Sequence, residues 1–266
     1  MKDFLEEVSD RLVLGDGDLI AAMETHGNCR TTFPEELNLS NPDAVTAAHA
    51  GFLSAGAEVL RTNSLHARAD DLKAHGLENR LSEIHWLASQ LAKAAARGTG
   101  ALVAGVLSQE NHGTPSAYQA RVGPLLDGGA DFILFENFTD LEELIMALHV
   151  KQALHHCPAI CSLAWNPQTD FAQAFRVLEN EGADVIGGPF ETVFPMIPKH
   201  RSLPKVLLVS QEVRNSSSSS IISPQAYTQL AIDIHRAGGG LLLGGIGITS
   251  AHVSCVSEAV KAKDGP

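Results

Sequence analysis

The chain has 266 residues and 44% hydrophobic content, enough for the core of one large domain or two small ones, and a formal charge of −12. With no basic cluster and only 5% aromatic residues, it is a poor match for nucleic acid or an anionic membrane surface, and no such partner is expected. No run approaches the roughly 18 apolar residues of a membrane span, the amino terminus MKDFLEEVSDR lacks the apolar stretch of a signal peptide, and Cys29, Cys157, Cys161 and Cys255 follow no disulfide pattern, so a reduced, cytoplasmic setting is expected.

In chain order, the charged amino terminus reads as a helix and is followed by eight short apolar runs. These are RLVLGDG (11–17), AEVLRTN (57–63), ALVAGVL (101–107), DFILFEN (131–137), AICSLAW (159–165), ADVIGGP (183–189), KVLLVSQ (205–211) and GLLLGGI (240–246). Each is continuously hydrophobic, as parallel strands covered on both faces should be. Helix signals lie between them. Asn41-Pro42 opens one helix, residues 70 to 97 hold another that breaks near Gly76, Asp140 to His155 is a third, and Pro224 to Ala237 a fourth. Thr249 and Ser250 are plausible caps for a last helix. AGAEV, GGADF and EGADV share one signature, a glycine closing a helix and an acid opening a strand. Repeated units of this kind predict an α/β fold, a (β/α)8 TIM barrel spanning 1–266 as a single domain. An open doubly wound sheet is the alternative. The run Ser216 to Ser220 reads as a mobile loop, either a lid over the mouth or a tolerated surface insertion.

In a barrel, residues at the carboxyl ends of the strands converge on one mouth. Strand by strand, they are Asp16, then Asn63 and His66, then Gln109 and Asn111, then Glu136 and Asn137, then Trp165 and Asn166. Glu191, Gln211 and Glu212 follow, and the eighth strand offers the backbone of Gly244, Gly245 and Gly247. Arg61 is the only Lys or Arg nearby, and an outward orientation is left open for it. This acidic, polar ring suits a small ligand with an ammonium group. Asp16 and Glu136 are the best acceptors for it, with Asn63, Asn137, Trp165 and Gly245 as further substrate contacts. His66 is the candidate catalytic residue, with a ligand contact or a stacking ring as alternatives, and a lone histidine is more often structural. No His-x-His or Cys-x-x-Cys pair is present, Cys255 reads as core, and no metal or other cofactor is expected. A carboxylate and histidine site from Asp16, His66, Glu136 and Glu191 is the metal alternative.

The segments LGDGDLIAAME (14–24), NPDAVTAAHAGFLSAGAEVLRTNSLHA (41–67), DFILFENFTDLEELIMAL (131–148), GADVIGG (182–188) and LLLGGIGITSAHV (241–253) resemble the homocysteine S-methyltransferase family, in the family's order and across nearly the whole chain. That family includes betaine-homocysteine methyltransferase and the homocysteine domain of cobalamin-dependent methionine synthase. The resemblance implies a (β/α)8 barrel binding homocysteine at the strand carboxyl ends, with Asp16 and Glu136 at positions used for the amino-acid substrate. It also implies a zinc ion held by three cysteines, and here the chain departs from the pattern. GGPFE puts Pro189 and Phe190 where Asn-Cys is expected, and GGIGITS puts Ile246 and Gly247 around the expected cysteine pair. Without a metal, a thiol of pKa about 8.5 is only a few per cent thiolate at neutral pH. The expectation is therefore a divergent barrel acting on or binding an amino-acid-like or thiol/sulfur metabolite without the three-cysteine site. The alternatives are a catalytically silent binding barrel, or zinc-dependent methyl transfer through substitute ligands. A homo-oligomer is possible through the outer helices.

Overall fold

The computed structural model describes residues 2–27, 31–188, 208–209, 222–238 and 240–264. The sequence readings on Cys29, Pro189, Phe190, Glu191, Gln211, Glu212 and the Ser216 to Ser220 loop lie outside the described residues. The elements are α1 (Lys2–Asp10), β1 (Val13–Leu14), α2 (Leu19–Gly27), α3 (Leu37–Ser40), α4 (Pro42–Ser54), β2 (Val59–Arg61), α5 (Ala69–Ala74), α6 (Leu81–Ala96) and β3 (Leu102–Leu107). They continue through α7 (Pro115–Asp127), β4 (Phe132–Phe138), α8 (Leu141–Leu154), β5 (Ala159–Leu163), α9 (Phe171–Asn180), β6 (Val185–Gly187), β7 (Leu208–Val209), α10 (Pro224–Ala237), β8 (Leu241–Leu242) and α11 (Ser250–Asp264).

Seven strands fall inside the predicted runs, β4 extends one residue beyond its run to Phe138, and every pairing is parallel. One sheet runs β1-β8-β7 and the other β2-β3-β4-β5-β6. A bridge from Gly15 to Val59 joins them on one side, and β6 lies beside β7 on the other. The ring so formed is a (β/α)8 barrel.

Side-chain alternation sorts the core into two layers. Val59, Ala104, Val106, Phe132, Leu134, Ile160, Val185 and Leu241 fill the interior. The intervening Leu60 and Val103 face helices α4 and α6, while Ile133, Phe135, Ala159 and Cys161 face the outer helices on the other side. Helix α1 closes the bottom, with Phe4 stacked on Phe132 at 4.8 Å between ring centroids.

The repeated glycine-acid signature has a physical cause. Gly56, Gly129 and Gly182 sit at φ of 101°, 101° and 85°, a left-handed conformation that only glycine adopts freely at a helix end. Glu58, Asp131 and Asp184 then accept hydrogen bonds from the backbone N–H of Leu14, Val103 and Ala159 on a neighbouring strand, at 3.3, 2.7 and 2.8 Å. Each turn is thereby stapled to the barrel.

Candidate active site at the barrel mouth

The strand carboxyl ends open into a cavity of about 230 Å³. Its wall is Gly17 to Ile20 after β1, Arg61 to His66 at the end of β2, Glu136 and Asn137 at the end of β4, and Gly244 to Ile246 after β8, with Glu35 and Val106 completing it. Two glycine turns shape one side. A Cβ on Gly17 would stand 2.0 Å from the Ile248 carbonyl oxygen, so only glycine lets the GDG turn approach the turn after β8. Gly244 N donates to Asp16 O at 2.7 Å, and Asp18 N donates to Ile248 O at the same distance.

Alternation after Phe132 and Leu134 carries Glu136 inward, and the register of β4 with β5 then shifts between Phe135 and Phe138. Asn137 at that point has φ 62°, a left-handed conformation uncommon for a residue with a side chain.

Arg61, whose orientation the sequence leaves open, turns inward. Its Nε donates to Asp16 Oδ1 at 2.8 Å, its Nη1 to Glu136 Oε1 at 3.1 Å, and its Nη2 to Gly17 O at 2.7 Å and to Gly244 O. Its backbone N–H donates to Asp16 Oδ2 at 2.7 Å. Burial pulls the guanidinium pKa down, but the charges of Asp16 and Glu136 more than offset this and hold it above its ordinary value. Burial also pushes the fully buried Asp16 carboxyl up, against the opposing pull of Arg61.

Of the other predicted site residues, His66 lines the cavity with its side chain half exposed. Its backbone N–H donates to Glu35 Oε1 at 2.7 Å, and its Nδ1 lies 3.4 Å from the same oxygen. The hydrogen bond with Glu35 raises its pKa against the lowering effect of burial. Asn63 lines the cavity too, but its Nδ2 is committed to Pro34 O and Asn38 Oδ1, which ties the loop after β1 to β2. Gly245 is in the wall. Trp165 stands outside it, 60% exposed. Gln109 caps the approach to α8 through Thr139 and Asp140, and Asn111 pairs with Asp70, both away from the cavity. Glu35, from the 3-10 turn Pro34–Glu36, is a wall residue that the sequence reading did not single out.

A model of the homocysteine S-methyltransferase family matches residues 13–260. The chain belongs to the homocysteine S-methyltransferase family. It is 28% identical to betaine–homocysteine S-methyltransferase 1 of Xenopus tropicalis, over 70% of this chain and 51% of that protein. It is 26% identical to the S-methylmethionine–homocysteine S-methyltransferase of Rattus norvegicus, over 67% of this chain and 52% of that protein. The chain thus spans about half the length of the curated relatives it matches. Among solved structures, the metallated homocysteine methyltransferase MmuM of Escherichia coli superposes with a TM-score of 0.79 at 18% identity, covering 97% of this chain and 99% of that one, a likeness of fold.

The resemblance implies a three-thiolate zinc, and at the place of its cysteine pair the sequence carries Ile246 and Gly247. Ile246, 66% exposed, lies at the expected cysteine pair, and the other expected cysteine position lies outside the described residues. Cys157 and Cys161 are buried at β5, and burial pushes both thiols up. Cys255, expected in the core, is only half-buried on α11.

Proposed function

We propose that the mouth of this family member binds, or acts on, a small amino-acid-like or sulfur metabolite, and that it does so without a three-thiolate zinc. One observation carries this reading: Glu136 Oε2 and Glu35 Oε2 are buried on the wall of the same cavity and have no hydrogen-bond partner among the described residues. An ionised carboxylate only accepts, and a buried acceptor left without a donor costs about 1–3 kcal/mol. A ligand ammonium supplies both donors and compensating charge. The cavity, about 230 Å³, is smaller than the roughly 300–1,000 Å³ of drug-sized sites and suits a metabolite of amino-acid size. Leu19, Ile20, Leu65 and Ile246 add apolar wall for an aliphatic or thioether portion.

If the ligand is a thiol, His66 is the wall's base for its proton, oriented by Glu35. Binding without turnover is the second reading, favoured by apolar Ile246 at the place where the resemblance implies a cysteine pair. Zinc through substitute ligands has less support, because Asp16 and Glu136 already hold Arg61 and no three His, Cys, Asp or Glu gather among the described residues.

The test is calorimetry with homocysteine, methionine and N-acetylmethionine on wild type and Glu136→Gln. Binding of the first two, loss with N-acetylmethionine and loss of at least about tenfold in the variant are expected. Equal affinity for methionine and its N-acetyl form refutes the ammonium site. Stoichiometric zinc in the purified protein refutes the metal-free part.

A further inference from the structure

Four acceptors converge at the deep end of the mouth: Asp16 Oδ1, Glu136 Oε1 and the carbonyl oxygens of Gly17 and Gly244. They come from the ends of β1 and β4 and from the turns after β1 and β8. Two carboxylates and two carbonyls make a cage for an organic cation, since all four groups only accept. In this chain the cation is internal. The Arg61 guanidinium reaches all four oxygens, and only 13% of its side chain is exposed.

We propose that Arg61 is a resident cation that occupies the deep half of the ligand site and thereby sets its specificity. A ligand's ammonium is kept from Asp16 and confined to the outer acceptors, Glu136 Oε2 and Glu35 Oε2. The cage follows from the hydrogen bonds alone, whereas the specificity role rests on the reading of the mouth as an ammonium site. Sharing of Glu136 links the two halves, because one oxygen serves Arg61 and the other has no hydrogen-bond partner among the described residues.

Arg61→Met empties the cage while keeping its volume partly filled. The probe is methylguanidinium at millimolar concentration, read as a thermal shift on wild type, Arg61→Met and the triple variant Asp16→Asn/Arg61→Met/Glu136→Gln. A saturable rise of several degrees in Arg61→Met alone is expected. A response no greater than that of wild type, or an equal one in the triple variant, overturns the cage. Should Arg61→Met be unfolded by itself, circular dichroism during a methylguanidinium titration reads the same property: recovery of the folded signal supports the cage and its absence overturns it. Methionine affinity in the same variants tests specificity. A gain of about tenfold or more in Arg61→Met is expected, and unchanged affinity overturns the role. A wild-type protein that binds no amine while Arg61→Met binds methylguanidinium refutes the ammonium reading of the mouth and leaves the cage standing.

Discussion

Arg61 holds both oxygens of Asp16, its side-chain Nε donating to Oδ1 at 2.8 Å and its backbone N–H to Oδ2 at 2.7 Å. One residue therefore fixes the rotamer of the carboxylate after β1 and opposes the upward push of burial on its pKa. The guanidinium then continues to Glu136 at 3.1 Å, so β1, β2 and β4 are joined by charge where the mouth opens.

Arg61→Met is expected to destabilise the fold by roughly 3–5 kcal/mol, because it leaves Asp16 buried without its counter-charge. The double variant Asp16→Asn/Arg61→Met should recover part of that loss, since no uncompensated charge remains at that position. Urea denaturation of the singles Asp16→Asn and Arg61→Met, the double variant and wild type measures it. A double variant as unstable as the sum of its singles would show that the pair is not coupled.

The eight strands were legible in the sequence because each is an unbroken apolar run, and the glycine-acid turns because only glycine fits their φ. Arg61 could have been placed by the same means. Val59 points to the barrel interior and Leu60 to the helices, so alternation carries Arg61 inward again. Asp16 and Glu136 were legible as strand-end carboxylates. Their partner was missed because a cation in an acidic ring reads as an outlier when its strand register is ignored. Glu35 had no such signal, lying on a 3-10 turn in a long loop without periodicity. The fates of Asn63 and Trp165 were likewise unreadable, as strand-end position alone does not say which polar groups already have protein partners.

Asn137→Ala is expected to lose about 1 kcal/mol or more, because a left-handed φ of 62° penalises a Cβ that lacks the asparagine's local hydrogen-bonding capacity. Asn137→Gly should stay within about 0.5 kcal/mol of wild type, and Asn137→Val should be the worst of the three. Equal stability for Ala and Gly at this position would contradict the conformation at the end of β4.

Acid should weaken the fold through two buried histidines. Desolvation lowers His49 to about 4, and burial together with the charge of Arg121 lowers His85 to about 3. Both fall below the unfolded value of about 6.5, so between that pH and about 4 the unfolded chain binds more protons and stability drops as pH falls. For His49 alone the drop is roughly 3 kcal/mol across the window, at about 1.4 kcal/mol per pH unit. His49→Met removes that slope, since neither ring nitrogen has a partner among the described residues. Denaturant midpoints at pH 7, 5.5 and 4.5 follow it, and parallel curves for variant and wild type would show that His49 already titrates normally.

His66 works in the opposite sense. Its folded pKa is raised, chiefly by the hydrogen bond with Glu35, so its stabilising contribution is fully present below about 6.5 and is lost as pH rises through the higher folded value. Glu35→Gln keeps a hydrogen-bonding oxygen for the His66 backbone N–H but removes the charge, so the ring's midpoint, followed by NMR of its C2 proton, should fall toward the ordinary value. If His66 takes the proton of a thiol ligand, it must be neutral to do so, and activity or thiol uptake should climb with pH through that midpoint. The climb should then move to lower pH in Glu35→Gln. An NMR midpoint that moves while the activity profile stays fixed would separate the His66–Glu35 pair from the chemistry and leave it a structural tie between the 3-10 turn and β2.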